Sequence, residues 1–167
     1  MDCQLYQHVP GQEVGDNPDV FIIGEAPGAD EVISHAPFVG RSGQLLRNLI
    51  KNFPPYYITN LVKCRPPNNR NPNQKEIKAC RPHLIRELKQ YSPSIIVLVG
   101  KVAAGISDQP PPRGVLSKVD HVLDYAPLHN LFVAHILHPA AVLYRPTLLP
   151  ILMEEVEKLE HSLQSYY

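Results

Sequence analysis

Four nearly unbroken apolar runs constrain this chain more than any other feature: "DVFIIG" (19–24), "YYITNLV" (56–62), "SIIVLVG" (94–100) and "LFVAHIL" (131–137). A strand with one wet face alternates apolar and polar residues, whereas a strand covered on both faces reads as a continuous run rich in Val and Ile. Helical spacing lies between the runs. "SGQLLRNLIKNF" (42–53) sets Leu45, Leu46, Leu49 and Ile50 on one face. "NQKEIKACRPHLIRELKQY" (73–91) follows a cap-type Asn and sets Ile77, Leu84, Ile85 and Leu88 at helical spacing, with Pro82 marking an irregularity. "VAAGI" gives a short helical turn, "PTLLPILMEEVEKLEHSLQ" an amphipathic C-terminal helix, and a further strand is expected near 117–124. This alternation predicts an α/β fold of three layers, α/β/α, around a central, mainly parallel four-stranded sheet. Residues 1–167 are expected to form a single domain, since a chain of this length can bury a core of its own.

Composition narrows the functional classes. The formal net charge is zero, so any contact with nucleic acid must come from local clustering. The 18 prolines exceed an average usage of about 5 % and gather in "PPNNRNP", "QPPPRG" and "HPAAVLYRP", which reads as stiffened loops between strands. No signal peptide, membrane-length apolar run or internal repeat is apparent, so a cytoplasmic setting without membrane attachment is expected. Cys3, Cys64 and Cys80 form an odd set that a cytosolic chain keeps reduced; by count alone they read as inert buried thiols.

Sheets of this kind hold ligands beyond the C-terminal ends of their strands. Three polar constellations fall there: Gly24–Gly28, Asn60–Arg65 and His138–Arg145. In "GEAPG" the carboxylate of Glu25 would repel a phosphate, and the pattern is neither GxGxxG nor GxxxxGK[ST], so a phosphate loop is excluded. Taken alone, the pentapeptide is a strand-to-helix turn. Phe38 in "HAPFVGRSG" can offer its ring face to a flat heterocycle or serve as core. Asn60 carries an acceptor and donors in one plane, which suits a base edge with a carbonyl beside an N–H, although turns also use Asn. Lys63, Arg65 and Arg70 make a local basic patch, either for phosphates or simply solvated. His138, followed by Pro139, can donate a hydrogen bond to developing negative charge, or be structural.

The combination is more specific than its parts. "GEAPGADE", "PFVGRSGQLL", "ITNLVKCRPPNNRNP", "CRPHL", "SIIVLVG" and "HPAAVLYRP", in this order, resemble the uracil-DNA glycosylase superfamily, and within it the iron–sulfur type called family four. The resemblance covers about residues 3 to 160.

It implies a repair enzyme that flips uracil out of DNA and hydrolyses its N-glycosidic bond, leaving an abasic site. It places Gly24, Ala26, Gly28 and Glu31 with Phe38 and Asn60 around the base. Phe38 then stacks on uracil, Asn60 reads O4 and N3–H, and Glu31 crowds the 5-methyl of thymine. His138 matches the residue facing uracil O2, and Glu25 one near the sugar and the attacking water. Ala26 stands where another branch keeps a water-activating Asp, which implies a slower reaction resting on leaving-group stabilisation. "HPAAVLYRP" matches the intercalation loop that contacts DNA, with Ala140 in it, Leu143 or Tyr144 as wedge, and Arg145 near phosphate with Lys63, Arg65 and Arg70.

The cysteines then read as ligands of a four-iron–four-sulfur (4Fe-4S) cluster. Cys64 and Cys80, with 15 residues between them, match the family's third and fourth ligands, and Cys3 its second. The counterpart of the first falls ahead of Met1, so three readings stand: a truncated chain, Asp2, His8 or solvent in that place, or a lost cluster, with a three-cysteine zinc site as the alternative metal. The implied partner is uracil-containing DNA, bound by a monomer. Two other readings stay open: a glycosylase of the same fold for another damaged or modified base, and a catalytically weak DNA-binding relative. A covalent-trapping relative is disfavoured, because "CRPPNNRNPNQKE" lacks the histidine-bearing insertion of that branch.

Overall fold

A computed structural model describes residues 8–127 and 129–167. The four apolar runs form the middle of one sheet: β2 (Val20–Gly24), β3 (Tyr56–Asn60), β4 (Ile95–Val99) and β6 (Leu131–Ile136), all parallel. Among the described residues the sheet has six strands rather than four, in the order β1-β3-β2-β4-β6-β5. The two additions are antiparallel edges. β1 (Gln12–Val14) pairs with β3, and β5 (Ser117–Val119) with β6. The segment near 117–124 was expected to hold a strand; β1 is three largely exposed residues, "QEV", too short and polar to leave an apolar signal. Short polar edges of this kind also protect a parallel sheet from pairing with other chains.

Side chains alternate cleanly across the sheet. Val20, Ile22, Ile58, Val97, Val99, Ala134 and Ile136 face a core closed by Leu46 of α2 (Arg41–Leu49) and by Leu152, Val156 and Leu159 of α6 (Leu149–Tyr166). Phe21, Ile23, Tyr57, Ile96, Leu98 and Val133 face a second core closed by Cys80, Leu84 and Leu88 of α3 (Gln74–Tyr91) and by Ala103 of α4 (Gly100–Ala104). These are the three expected layers. The chain winds from β2 over the first face to β3, then over the second face through β4 towards β6. The direction of winding therefore reverses between β2 and β4, and a crevice opens at that point.

Local signals explain the helices. α3 starts with a capping box, in which the Asn73 side chain accepts from the Glu76 N–H and the Glu76 side chain accepts from the Asn73 N–H. It runs unbroken through Pro82, which is exposed, so the missing N–H falls on the wet side. α2 stops at Leu49, short of the expected 53, because Pro54 and Pro55 restrict the chain that must re-enter the sheet at Tyr56. Two short helices follow strand ends: α1 (Ala29–Ser34) after β2, and α5 (Pro139–Tyr144) after β6, packed against α2. Among the described residues, no helix is long and apolar enough to cross a membrane.

Candidate active site

Parity along the strands decides which residues meet. Gly24 and Asn60 sit opposite each other at the ends of β2 and β3, both on the face covered by α2. Their neighbour is Phe38, from the loop between α1 and α2. Phe38 and Asn60 are each only 5 % exposed. A Cβ on Gly24 would stand 2.3 Å from Phe38 Cζ and 2.6 Å from Asn60 Oδ1, so no larger residue fits between ring and amide. Phe38 holds a φ of 54°, a left-handed conformation that an aromatic residue seldom adopts. Arg47 of α2 over-determines it: Nε donates to the Phe38 carbonyl at 2.8 Å, and Nη2 to the Pro37 carbonyl at 2.7 Å.

His138 enters from the far side as the N-cap of α5. Its Nδ1 accepts the Ala140 N–H at 3.0 Å. Burial pushes the imidazole pKa below its ordinary 6.5. A neutral ring with Nδ1 occupied as an acceptor carries its proton on Nε2, and that N–H is a donor. Gly100, at the end of β4, makes the wall behind it. Its φ is +87°, and a Cβ there would come within 2.9 Å of His138 Cβ.

The acidic turn lies above. Glu25 is half-buried, and burial raises its carboxyl above the ordinary 4.5. The turn is tied to the next strand's extension, since Leu61 N–H donates to the Gly24 carbonyl and Val62 N–H to that of Glu25. Glu31 Oε1 accepts from the Gly40 N–H at 3.2 Å, and Glu31 Oε2 lies 3.1 Å from the point where a Gly28 side chain would begin. A cleft of about 640 Å³ runs along this edge. Glu25, Ala26, Gly28 and Glu31 line one wall, Asn69 and Arg70 another, and His138, Ala140, Leu143 and Tyr144 a third. Tyr144 is 87 % exposed, an apolar ring held out at the cleft rim. Arg145 is exposed beside it.

The basic patch divides. Lys63 was expected at the surface for phosphate contact; instead it is 1 % exposed and points through the sheet edge to the α3 side. Its Nζ donates to Glu87, Thr59 Oγ1 and the Asn60 carbonyl, and Glu87 also accepts from Tyr57 OH. A buried ammonium needs such a partner, which removes Lys63 from any DNA surface. Arg70 stays on the rim, engaged in two hydrogen bonds by Glu76. Arg65 donates to Asn69 Oδ1 at 2.7 Å.

Cys3 and Asp2 lie outside the described residues. Cys64 bridges to His8 in antiparallel fashion, and the His8 ring sits 5.8 Å from that of His83, one turn beyond Cys80 on α3. His8 thus links the segment of Cys64 to the part of α3 that carries Cys80. Among the described residues, no group of three or more His, Cys, Asp or Glu is arranged to hold a metal ion.

Three contributors escaped the sequence reading: Arg47, Gly100 and Glu155. For Glu155 a signal existed, since it occupies the inward stripe Leu152, Val156, Leu159, Leu163 of α6 as a lone charge. Arg47 and Gly100 act through backbone contacts that no local pattern announces.

Comparison with known proteins agrees with this geometry. Residues 12–162 match the family model described as the uracil DNA glycosylase superfamily. The chain is 37 % identical over 177 aligned positions to the type-4 uracil-DNA glycosylase of Saccharolobus solfataricus, covering 98 % of this chain and 81 % of that one. It is 38 % identical over 161 positions to the type-4 uracil-DNA glycosylase of Archaeoglobus fulgidus, covering 87 % and 79 %. With relatives at this identity along most of both chains, the protein belongs to the uracil-DNA glycosylase superfamily, in its type-4 branch.

Proposed function

We propose that the protein excises uracil from DNA by hydrolysing the N-glycosidic bond of a flipped-out nucleotide. The observation that supports this reading is that Phe38 and Asn60 pack around Gly24 at the ends of β2 and β3, while His138, its Nδ1 accepting the Ala140 N–H, packs on Gly100 at the end of the adjoining β4. The names of its relatives support the same substrate.

The chemistry follows from the side chains. Phe38 offers a ring face for stacking, and the Asn60 amide pairs with the O4 and N3–H edge of uracil. Cytosine presents the reverse order, and a buried amide left unpaired would disfavour it. As the C–N bond breaks, charge accumulates on the base and His138 Nε2–H donates to O2; a neutral imidazole does this without giving up its proton. The sugar becomes cationic, and ionised Glu25 favours that charge and orients water. Ala26 offers no second carboxylate, so leaving-group stabilisation carries more of the barrier. Glu31, braced on Gly40, crowds the space a 5-methyl would need. Leu143 and Tyr144 fill the gap in the duplex, while Arg65, Arg70 and Arg145 lie near the backbone phosphates. Activity as a single domain and as a monomer belongs to the same reading.

Cys3, Cys64 and Cys80 would hold a four-iron–four-sulfur cluster where the segment of Cys64 passes α3. Such a group supplies a cross-link between the N-terminal segment, the chain after β3 and α3, and takes no part in hydrolysis. Iron and acid-labile sulfide in anaerobically purified protein test it.

The decisive experiment measures single-turnover release of uracil from duplex DNA by wild type, His138→Ala and Asn60→Ala. Losing the His138 donor is expected to slow release by about 10²–10³-fold. Asn60→Ala should also lose discrimination against cytosine. A wild-type protein that releases no uracil, but releases another base from a panel of modified duplexes, would overturn the substrate assignment.

A further inference from the structure

Glu155 is 6 % exposed, a carboxylate set among the apolar residues of α6. Its Oε2 accepts the main-chain N–H of Leu137 at 2.7 Å, and its Oε1 the Arg113 Nε at 3.0 Å. Leu137 is the first residue beyond β6, whose pairing with β4 ends at Ile136 opposite Val99. Its N–H has therefore left the strand ladder, and the carboxylate takes the place of a neighbouring strand. The next residue is His138. For packing alone a Leu or Met would serve α6 better, because burying a carboxylate is costly unless its oxygens are used. Here both are used, and one of them fixes the Ile136–Leu137 peptide, one residue ahead of His138.

We infer that Glu155 is a positioning residue for His138. It clamps the chain before the histidine, while Ala140 N–H fixes the ring and Gly100 walls it from behind. Three contacts from three elements thus define where Nε2 points. The inference rests on the reading of His138 as the donor to the departing base. Misplacing such a group by about 1 Å can cost as much as 10²-fold in rate.

The test compares Glu155→Gln, Glu155→Met, His138→Ala and the His138→Ala/Glu155→Met double variant by single-turnover uracil release. Glu155→Gln keeps an oxygen for Leu137 N–H and is expected near the wild-type rate. Glu155→Met is expected to fall by about 10- to 100-fold with an unchanged dissociation constant for uracil-containing DNA. The double variant is expected to be no slower than His138→Ala alone, since the clamp acts only through that ring. Losses that multiply would show a general structural role and overturn this inference alone. His138→Ala at the wild-type rate would remove the donor reading, and this inference with it. If Glu155→Met does not fold, amide exchange in the wild type decides: a slowly exchanging Leu137 N–H supports the clamp, and an unprotected one overturns it.

Discussion

Glu25 and His138 line the same cleft, with burial acting on them in opposite senses. Desolvation penalises the charged form, so the carboxyl is pushed up and the imidazole down. Each consequence has a sign. The negative charge of Glu25 is present above its raised pKa and is lost as pH falls through it, earlier than for an ordinary Glu. Burial lowers the His138 pKa, so its imidazole stays neutral to lower pH than an ordinary histidine. The excision rate should therefore show an acid limb centred above 4.5, assigned to Glu25. In Glu25→Gln this limb should vanish and the plateau should drop. A limb that persists unchanged in Glu25→Gln would assign it to another group.

At the scale of elements, the end of β3 is held by a polar clamp on one face while Asn60 works on the other. Lys63 returns from the loop to reach the Asn60 carbonyl, and Glu87 of α3 joins Lys63, Thr59 and Tyr57. Removing one member leaves the other charge buried without a partner, whereas replacing both with apolar residues can be nearly neutral. Glu87→Leu is expected to destabilise the protein by about 3–5 kcal/mol in urea unfolding. The Lys63→Met/Glu87→Leu double variant should recover most of that loss. Single and double variants of equal stability would deny the pair its role. The same argument corrects the reading of Lys63 as a phosphate ligand: Arg65 is half-buried and Arg70 exposed, but the Lys63 side chain is buried on Thr59 and Glu87.

Over the whole molecule, four parallel strands carry their ends to one edge, and each delivers a different group: Glu25, Asn60, Gly100 and, past the last, His138. The segments that carry Cys64 and Cys80 meet at the β3 and α3 side. A cluster there should bear on stability more than on the chemical step. Anaerobically purified protein is expected to contain iron and sulfide, and Cys80→Ala should lower the melting temperature while retaining excision well below it. Protein without iron, yet as stable as the Cys80→Ala variant, would remove the cluster from this chain.

Much was legible before any coordinates. The continuous apolar runs specified four buried parallel strands, because only burial on both faces tolerates such runs. Helical spacing located α3 and α6, and the cap-type Asn73 marked where α3 begins. The polar groups after each strand marked the edge that holds the site. Local pattern reports what an element needs, and not which partner it finds. The edge strand β1, the inward turn of Lys63, the strained φ of Phe38 held by Arg47, the tautomer of His138 and the Glu155 clamp all depend on contacts between residues distant in sequence. Those contacts exist only once the layers have packed, so tertiary structure alone decided them.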